Sequence, residues 1–252
     1  MMPSSDKAYV WFSRLDGPTH LCDSFRAILS DQERCQANAF RAEEHAREYI
    51  LAHAALRFVL AECVDLAPSA VVFQAIPGHK PSLPAANNQR NLRFNLSHTQ
   101  GAALVGVTVG REIGVDIEHR RPITDLERLA EDVLSPQEIR LWGEQAPSQR
   151  NATFYRIWTR KEAYLKATGM GLFRTPQKVT VPISSGPLFE PQPVEDRETS
   201  GDWRVVDVAV PRSFFASICW EGTSSPELVV NTIDLPRYRL GQDDWRSLLN
   251  DF

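Results

Sequence analysis

The sequence predicts an α+β fold built as two halves, and three observations lead there. Ile50, Leu51, Ala54, Ala55, Phe58 and Val59 recur at helical spacing. A second long helical pattern runs over 149–168, with Phe154, Ile157, Trp158 and Leu165 as its core side. Short strand-like runs flank both patterns, so the order is strand, helix, strands, then helix, strands. At 252 residues the chain is long enough for one large domain or two small ones. The boundary is expected near 118–124, giving an N-terminal half of 1–118 and a C-terminal half of 119–252.

Each element has a local reason. Residues 8–13 form an apolar run of strand type. Ser30-Asp31-Gln32-Glu33 has capping-box form and opens helical sequence, and Pro68 follows where that sequence stops. Residues 71–75 read as a strand and 76–81 as a turn-rich loop. Strands are expected over 92–96, 102–109 and 113–118, with Gly110-Arg111 as a hairpin turn between the last two. Ser135-Pro136-Gln137-Glu138 is a second helix start, and Gly169 sits where a left-handed cap closes the helix over 149–168. Residues 184–202, rich in Pro, Ser, Gly and Glu, read as a long surface connection before strands at 203–210, 214–220 and 227–233.

The composition excludes several classes. An apolar fraction of 42 % with 24 % charged residues fits a soluble globular protein. A net charge of −4 argues against a nucleic-acid partner, while leaving room for a local basic pocket. Cys22, Cys35, Cys63 and Cys219 form no CxxC pair and no zinc spacing. No secretory leader pattern opens the chain, and no apolar run approaches the ~20 residues that span a bilayer. A cytoplasmic protein with no membrane contact is expected.

Three segments carry chemistry. In Ile113-Gly114-Val115-Asp116-Ile117-Glu118, strand alternation puts Asp116 and Glu118 on one face. Paired carboxylates repel unless protons or a cation intervene, and Mg²⁺ takes hard oxygen ligands. In the segment from Trp158 to Lys166, Trp158, Glu162 and Lys166 are four apart and share a helix face. In Phe94-Asn95-Leu96-Ser97-His98, Ser97 and His98 end a strand where they could meet a phosphate, and Lys80 follows a turn with the same potential. Each segment alone also has an ordinary structural explanation: a solvated strand end, a surface ion pair, a packed histidine, a solvated lysine.

Together and in this order, Gly78…Lys80-Pro81, Phe94–His98, the Gly-Val-Asp-Ile-Glu strand and Trp158-x-x-Lys161-Glu162-Ala163…Lys166 resemble the Sfp-type 4′-phosphopantetheinyl transferases over about 78–171. The resemblance implies a pseudo-two-fold pair of halves, each a small antiparallel sheet packed on a long helix, with coenzyme A in the cleft between them. It implies transfer of the phosphopantetheine arm of coenzyme A onto a serine of an apo acyl or peptidyl carrier protein, releasing adenosine 3′,5′-bisphosphate. Asp116, Glu118 and Glu162 correspond to ligands of Mg²⁺, with Mn²⁺ as a substitute. Asp116, Glu162 and Lys166 take the catalytic roles, Glu162 toward the serine proton and Lys166 toward the leaving phosphate. Lys80, Ser97, His98 and Lys161 correspond to groups facing coenzyme A, with Arg47 as a candidate from the first long helix beside Arg41.

His79 makes the loop one residue longer than a plain Gly-Lys-Pro, and Arg57, among apolar neighbours, reads as structural. Leu172, Phe173 and Arg174 are candidates for a rim that meets the carrier. A single chain with two such halves is expected to be a monomer. The competing readings are a catalytically silent module that binds coenzyme A or a carrier, and a Mg²⁺-dependent phosphohydrolase.

Overall fold

A computed structural model of the protein describes every residue except 1–2, 17–19, 75, 77–78, 171–174, 185, 197, 236–244 and 252. Gly78 and the rim candidates Leu172, Phe173 and Arg174 therefore lie outside the described residues. In chain order the elements are β1 (Lys7–Arg14), α1 (His20–Ile28), α2 (Asp31–Ala39), α3 (Glu43–Val64), β2 (Leu92–Thr99), β3 (Ala102–Val109), β4 (Ile113–His119), α4 (Leu126–Val133), α5 (Pro136–Gly143), α6 (Pro147–Thr168), β5 (Val179–Thr180), β6 (Gln192–Pro193), β7 (Glu195–Asp196), β8 (Trp203–Asp207), β9 (Phe214–Glu221), β10 (Glu227–Ile233) and β11 (Leu249–Asp251). They form two compact units, 1–110 with 226–252, and 111–225.

The first unit is a five-stranded sheet, in the order β11-β10-β1-β3-β2, with α3 buried against it. Helix α3 is enclosed on most sides, which explains why its apolar residues exceed a single stripe. The capping box at Ser30 forms as read: Glu33 N donates to Ser30 Oγ at 3.2 Å, and Ser30 N donates to Glu33 Oε2 at 2.7 Å. Glu33 also accepts from the Arg57 guanidinium at 2.6 and 2.9 Å and lies 3.0 Å from His53 Nδ1. Arg57, 1 % exposed, gives further hydrogen bonds to the Pro68 and Val71 carbonyls. One buried cation thus ties α2, α3 and the turn after α3 together, as its apolar surroundings suggested.

The second unit is an antiparallel sheet, β4-β9-β8-β6, with α6 across it. Gly169 closes α6 with φ 72°, the left-handed cap expected there. The second capping box also forms, and its Glu138 again reaches a buried cation on the long helix: Lys161 Nζ is 2.6 Å from Glu138 Oε2.

Four readings differ from the structure. Of the strand expected over 71–75, the described residues 71–74 make only an isolated bridge, Gln74 to Ser82, and the Val71 carbonyl is committed to Arg57. Gly110-Arg111 is not a hairpin turn between paired strands. Strand β3 already has β1 and β2 on its two sides, so β4 finds no ladder there and starts the other sheet. Gly110, at φ 73°, bonds instead to the Asn91 carbonyl beside the β2–β3 pair. Finally, β10 runs parallel to β1, so the first sheet is mixed rather than antiparallel. The chain's tail thus belongs with the N-terminal unit, and β4 with the other, a division different from a single cut after 118. Among the described residues no helix is long and apolar enough to cross a membrane.

Burial raises the Glu33 carboxyl, but hydrogen bonds from His53, Arg57 and Ser30 outweigh it and bring the pKa from 4.5 down to about 2. A depressed folded value stabilises the native state above pH 4.5 and loses that contribution as pH falls toward 2. The loss amounts to about 3 kcal/mol. Urea unfolding across this window should show the loss in the parent chain. Glu33→Gln should lack this component of acid sensitivity and be destabilised already at pH 7.

Candidate active site

The site starts from a close approach. A Cβ on Gly114 would lie 2.0 Å from the Ala163 carbonyl oxygen and 2.3 Å from the Ala167 nitrogen. Only glycine lets β4 and α6 meet backbone to backbone here. Gly114 therefore faces α6, and by alternation Asp116 and Glu118 face it too, while Ile113, Val115 and Ile117 are buried on the opposite side.

Helix α6 presents Trp158, Glu162 and Lys166 along one row. Lys166 Nζ donates to Asp116 Oδ1 at 2.6 Å. Trp158 Nε1 donates to Glu118 Oε1 at 3.1 Å, and its ring stacks on Phe154. Glu162 lies between these two contacts in sequence and feels all three neighbours. Burial first, then Asp116 and Glu118, push its carboxyl up to about 7, with Lys166 opposing. Glu118 is likewise raised by burial and by Asp116, against the indole hydrogen bond, Lys166 and Arg121. The neighbouring carboxylates thus disfavour charge on Glu118 and Glu162, and Lys166 partly offsets them.

The donor set is hard carboxylate oxygen, which suits Mg²⁺ or Mn²⁺, and a divalent cation would relieve the mutual repulsion. The side chains are not drawn up as a closed ligand shell: among the described residues no group of three or more His, Cys, Asp or Glu is placed to hold an ion. Lys166 occupies Asp116 Oδ1 and Trp158 occupies Glu118 Oε1. The residues fit a divalent ion in chemistry and charge.

Lys161 requires a correction. It is 0 % exposed and bonded to Glu138 and to the Val133 and Pro176 carbonyls, the last two at 2.9 Å. With its three donors directed at these acceptors it is a structural cation and does not face a phosphate. Its adjacent position places it about 100° around the helix from Glu162, toward α5 rather than β4. Burial lowers the Lys161 pKa and raises that of Glu138, each charge offsetting the other's desolvation.

The remaining candidates lie in the first unit. Successive positions on β2 send Ser97 and His98 to opposite faces, Ser97 buried and His98 exposed. Lys80 is half-buried in the loop after α3, and Arg47 is half-buried on α3. Sequence reading missed two features of the site region. Glu138 carried only the signal of a helix start. The Asp207 carboxylate, bonded to Arg160 at 2.7 and 2.8 Å, gave no local signal.

Two substitutions test this framework. Gly114→Ala should cost about 3 kcal/mol by forcing β4 from α6, read by urea unfolding. Glu138→Leu should cost about 3–5 kcal/mol by stranding a buried ammonium, and adding Lys161→Met should recover much of that loss.

The comparisons with known proteins point the same way. A sequence model described as the 4′-phosphopantetheinyl transferase superfamily matches residues 112–219, the stretch that holds β4 and α6. The 4′-phosphopantetheinyl transferase HetI of Nostoc sp. is 39 % identical over 168 residues, 67 % of this chain and 71 % of that protein. The slr0495 protein of Synechocystis sp. is 28 % identical over 217 residues, 84 % of this chain and 86 % of that one. The 4′-phosphopantetheinyl transferase Sfp of Bacillus subtilis is 27 % identical over 150 residues, 60 % and 64 % of the two chains. The glycine that admits the helix and the carboxylates it aligns are thus those of a member: this chain belongs to the 4′-phosphopantetheinyl transferase superfamily.

Proposed function

We propose that the chain transfers the 4′-phosphopantetheine arm of coenzyme A to a serine hydroxyl of an apo carrier protein. The observation that carries this reading is the meeting of Asp116 and Glu118 on β4 with Glu162 and Lys166 on α6. Family membership supplies the substrates; the residues supply the chemistry.

The serine oxygen forms a bond to the β-phosphorus of coenzyme A. The bond from that phosphorus to the bridging oxygen breaks, and its electron pair leaves on adenosine 3′,5′-bisphosphate. Asp116, Glu118 and Glu162 would hold the divalent ion. When bound, Mg²⁺ neutralises and aligns the diphosphate. Glu162, on α6 beside the other acids, is the group proposed to accept the serine proton. Lys166 already spans to Asp116 and, turned toward the substrate, stabilises the leaving phosphate. Lys80, Ser97, His98 and Arg47 are proposed to hold the nucleotide part of coenzyme A, on the strength of the sequence resemblance.

We also propose that the two units are similar halves in the pseudo-two-fold sense. Each has a 22-residue helix, and each places a buried cation at the fifteenth position of that helix, Arg57 in α3 and Lys161 in α6. In each the cation pairs with the glutamate of a preceding capping box, Glu33 or Glu138. A monomer is the expected working form.

The test is incubation with coenzyme A, Mg²⁺ and a panel of apo carrier proteins, read by intact mass. The carrier should gain the phosphopantetheine mass. Asp116→Ala, Glu162→Ala and Lys166→Ala should each lower the rate about a hundredfold or more with the circular dichroism unchanged. Coenzyme A binding with no carrier modified, or near-parental loading by any of the three, would sink the assignment.

A further inference from the structure

The acids and Lys166 use one side of α6, and a recess opens along another. It is a cavity of about 360 Å³ walled by Phe189, Phe214 and Phe215 and carrying Arg120, Arg156 and Arg212. We propose that this cavity binds a small amphiphilic anion, with a phosphate, sulfonate or carboxylate head on the arginines and an apolar body on the phenylalanine wall.

The charge balance favours an anion. Asp207 also lines the cavity, and both of its oxygens are engaged by Arg160, at 2.7 and 2.8 Å. It further accepts from Leu188 N and Ser217 Oγ. Arg156 Nε forms a longer ion pair with Asp207 Oδ2, at 4.0 Å. Among the charges acting on Arg156, Asp207 is negative, while Arg160 and Arg120 are positive. Burial, followed by Arg160 and Arg120, lowers the Arg156 pKa against the pull of Asp207. Three of the four charged residues lining the cavity are arginines, and a planar guanidinium fork takes phosphate or carboxylate through two bonds.

The walls are built rather than incidental. The Arg156 guanidinium lies 5.4 Å over the Phe215 ring, which stacks on Tyr155 with ring centres 5.3 Å apart and planes at 4°. The head-group cation is therefore oriented before any ligand arrives. The segment bearing Phe189 is fixed by paired hydrogen bonds between Leu188 and Asp207. Phe189 is 79 % exposed at the rim, an apolar surface that a ligand body would cover. The volume lies at the small end of the usual range for ligand cavities. None of the lining residues is an acid or lysine of the active site, so carrier loading is an independent readout.

The experiment is isothermal titration of the full chain with phenyl phosphate, inorganic phosphate and benzyl alcohol, without coenzyme A. Phenyl phosphate should bind about tenfold or more tightly than either half-probe. Arg156→Gln, and Ala152→Phe at a half-exposed position of α6 on the cavity wall, should each weaken it about tenfold. Saturating coenzyme A should leave it bound. The proposal is overturned by the absence of phenyl phosphate binding, by binding to both variants as tight as to the parent, or by displacement with coenzyme A. Displacement by an apo carrier protein also overturns it, because the cavity would then receive an acidic protein side chain instead of a small ligand.

Discussion

The second unit depends on a missing methyl group. With hydrogen at Gly114, β4 and α6 touch through their backbones, and every functional contact follows from that separation. Lys166 meets Asp116 at one end of the row and Trp158 meets Glu118 at the other. Eight helical residues advance about 12 Å, whereas two strand residues advance about 7 Å. The long side chains of lysine and tryptophan lean inward to make up the difference. Glu162, with a shorter side chain, is left in the middle of the acids. A wider gap between strand and helix would let water screen these charges, and the rise of the Glu162 carboxyl to about 7 would shrink.

Two neighbouring lysines in this family motif have opposite fates. Lys166 lies on the row with Glu162 and is 30 % exposed, as the role proposed for it toward the leaving phosphate requires. Lys161 is sealed among protein acceptors. Its contribution to the site is mechanical: the pair with Glu138 resists rotation of α6, and rotation would carry Glu162 away from β4. The arginines on either side of Thr159 extend the pattern. Arg160 is bonded to both oxygens of Asp207, whereas Arg156 lies over the Phe215 ring and lines a cavity.

What could be read in advance was local. Both capping boxes, the left-handed cap at Gly169, the alternation that pairs Asp116 with Glu118 and the row through Glu162 are encoded within a few residues. What could not be read was the choice of distant partner. Nothing within 227–233 says that its ladder is β1, and nothing at Gly110 says that β3 is already covered on both sides. Lys161 failed as a phosphate ligand for the same reason. Its partner Glu138 is 23 residues away, and only the folded chain shows that the ammonium is enclosed.

The likeness of the two long helices also explains why the acids occur in one unit. Position fifteen is a buried cation in both, held by a capping-box glutamate. Position sixteen is Glu162 in α6 but Phe58, fully buried in the core, in α3. Position twelve is Trp158 in one and buried Ala54 in the other; position twenty is Lys166 in one and Glu62 in the other. The cation and its glutamate fix how each helix sits on its own sheet. The neighbouring positions are then available either to fill a core or to carry charge. In α3 position sixteen went to packing, and apolar burial there stabilises the fold. In α6 it carries a half-buried carboxylate whose charge is disfavoured by its neighbours. A sheet-and-helix unit like the first folds with none of these carboxylates, so that cost accords with the role proposed for Glu162 in the transfer.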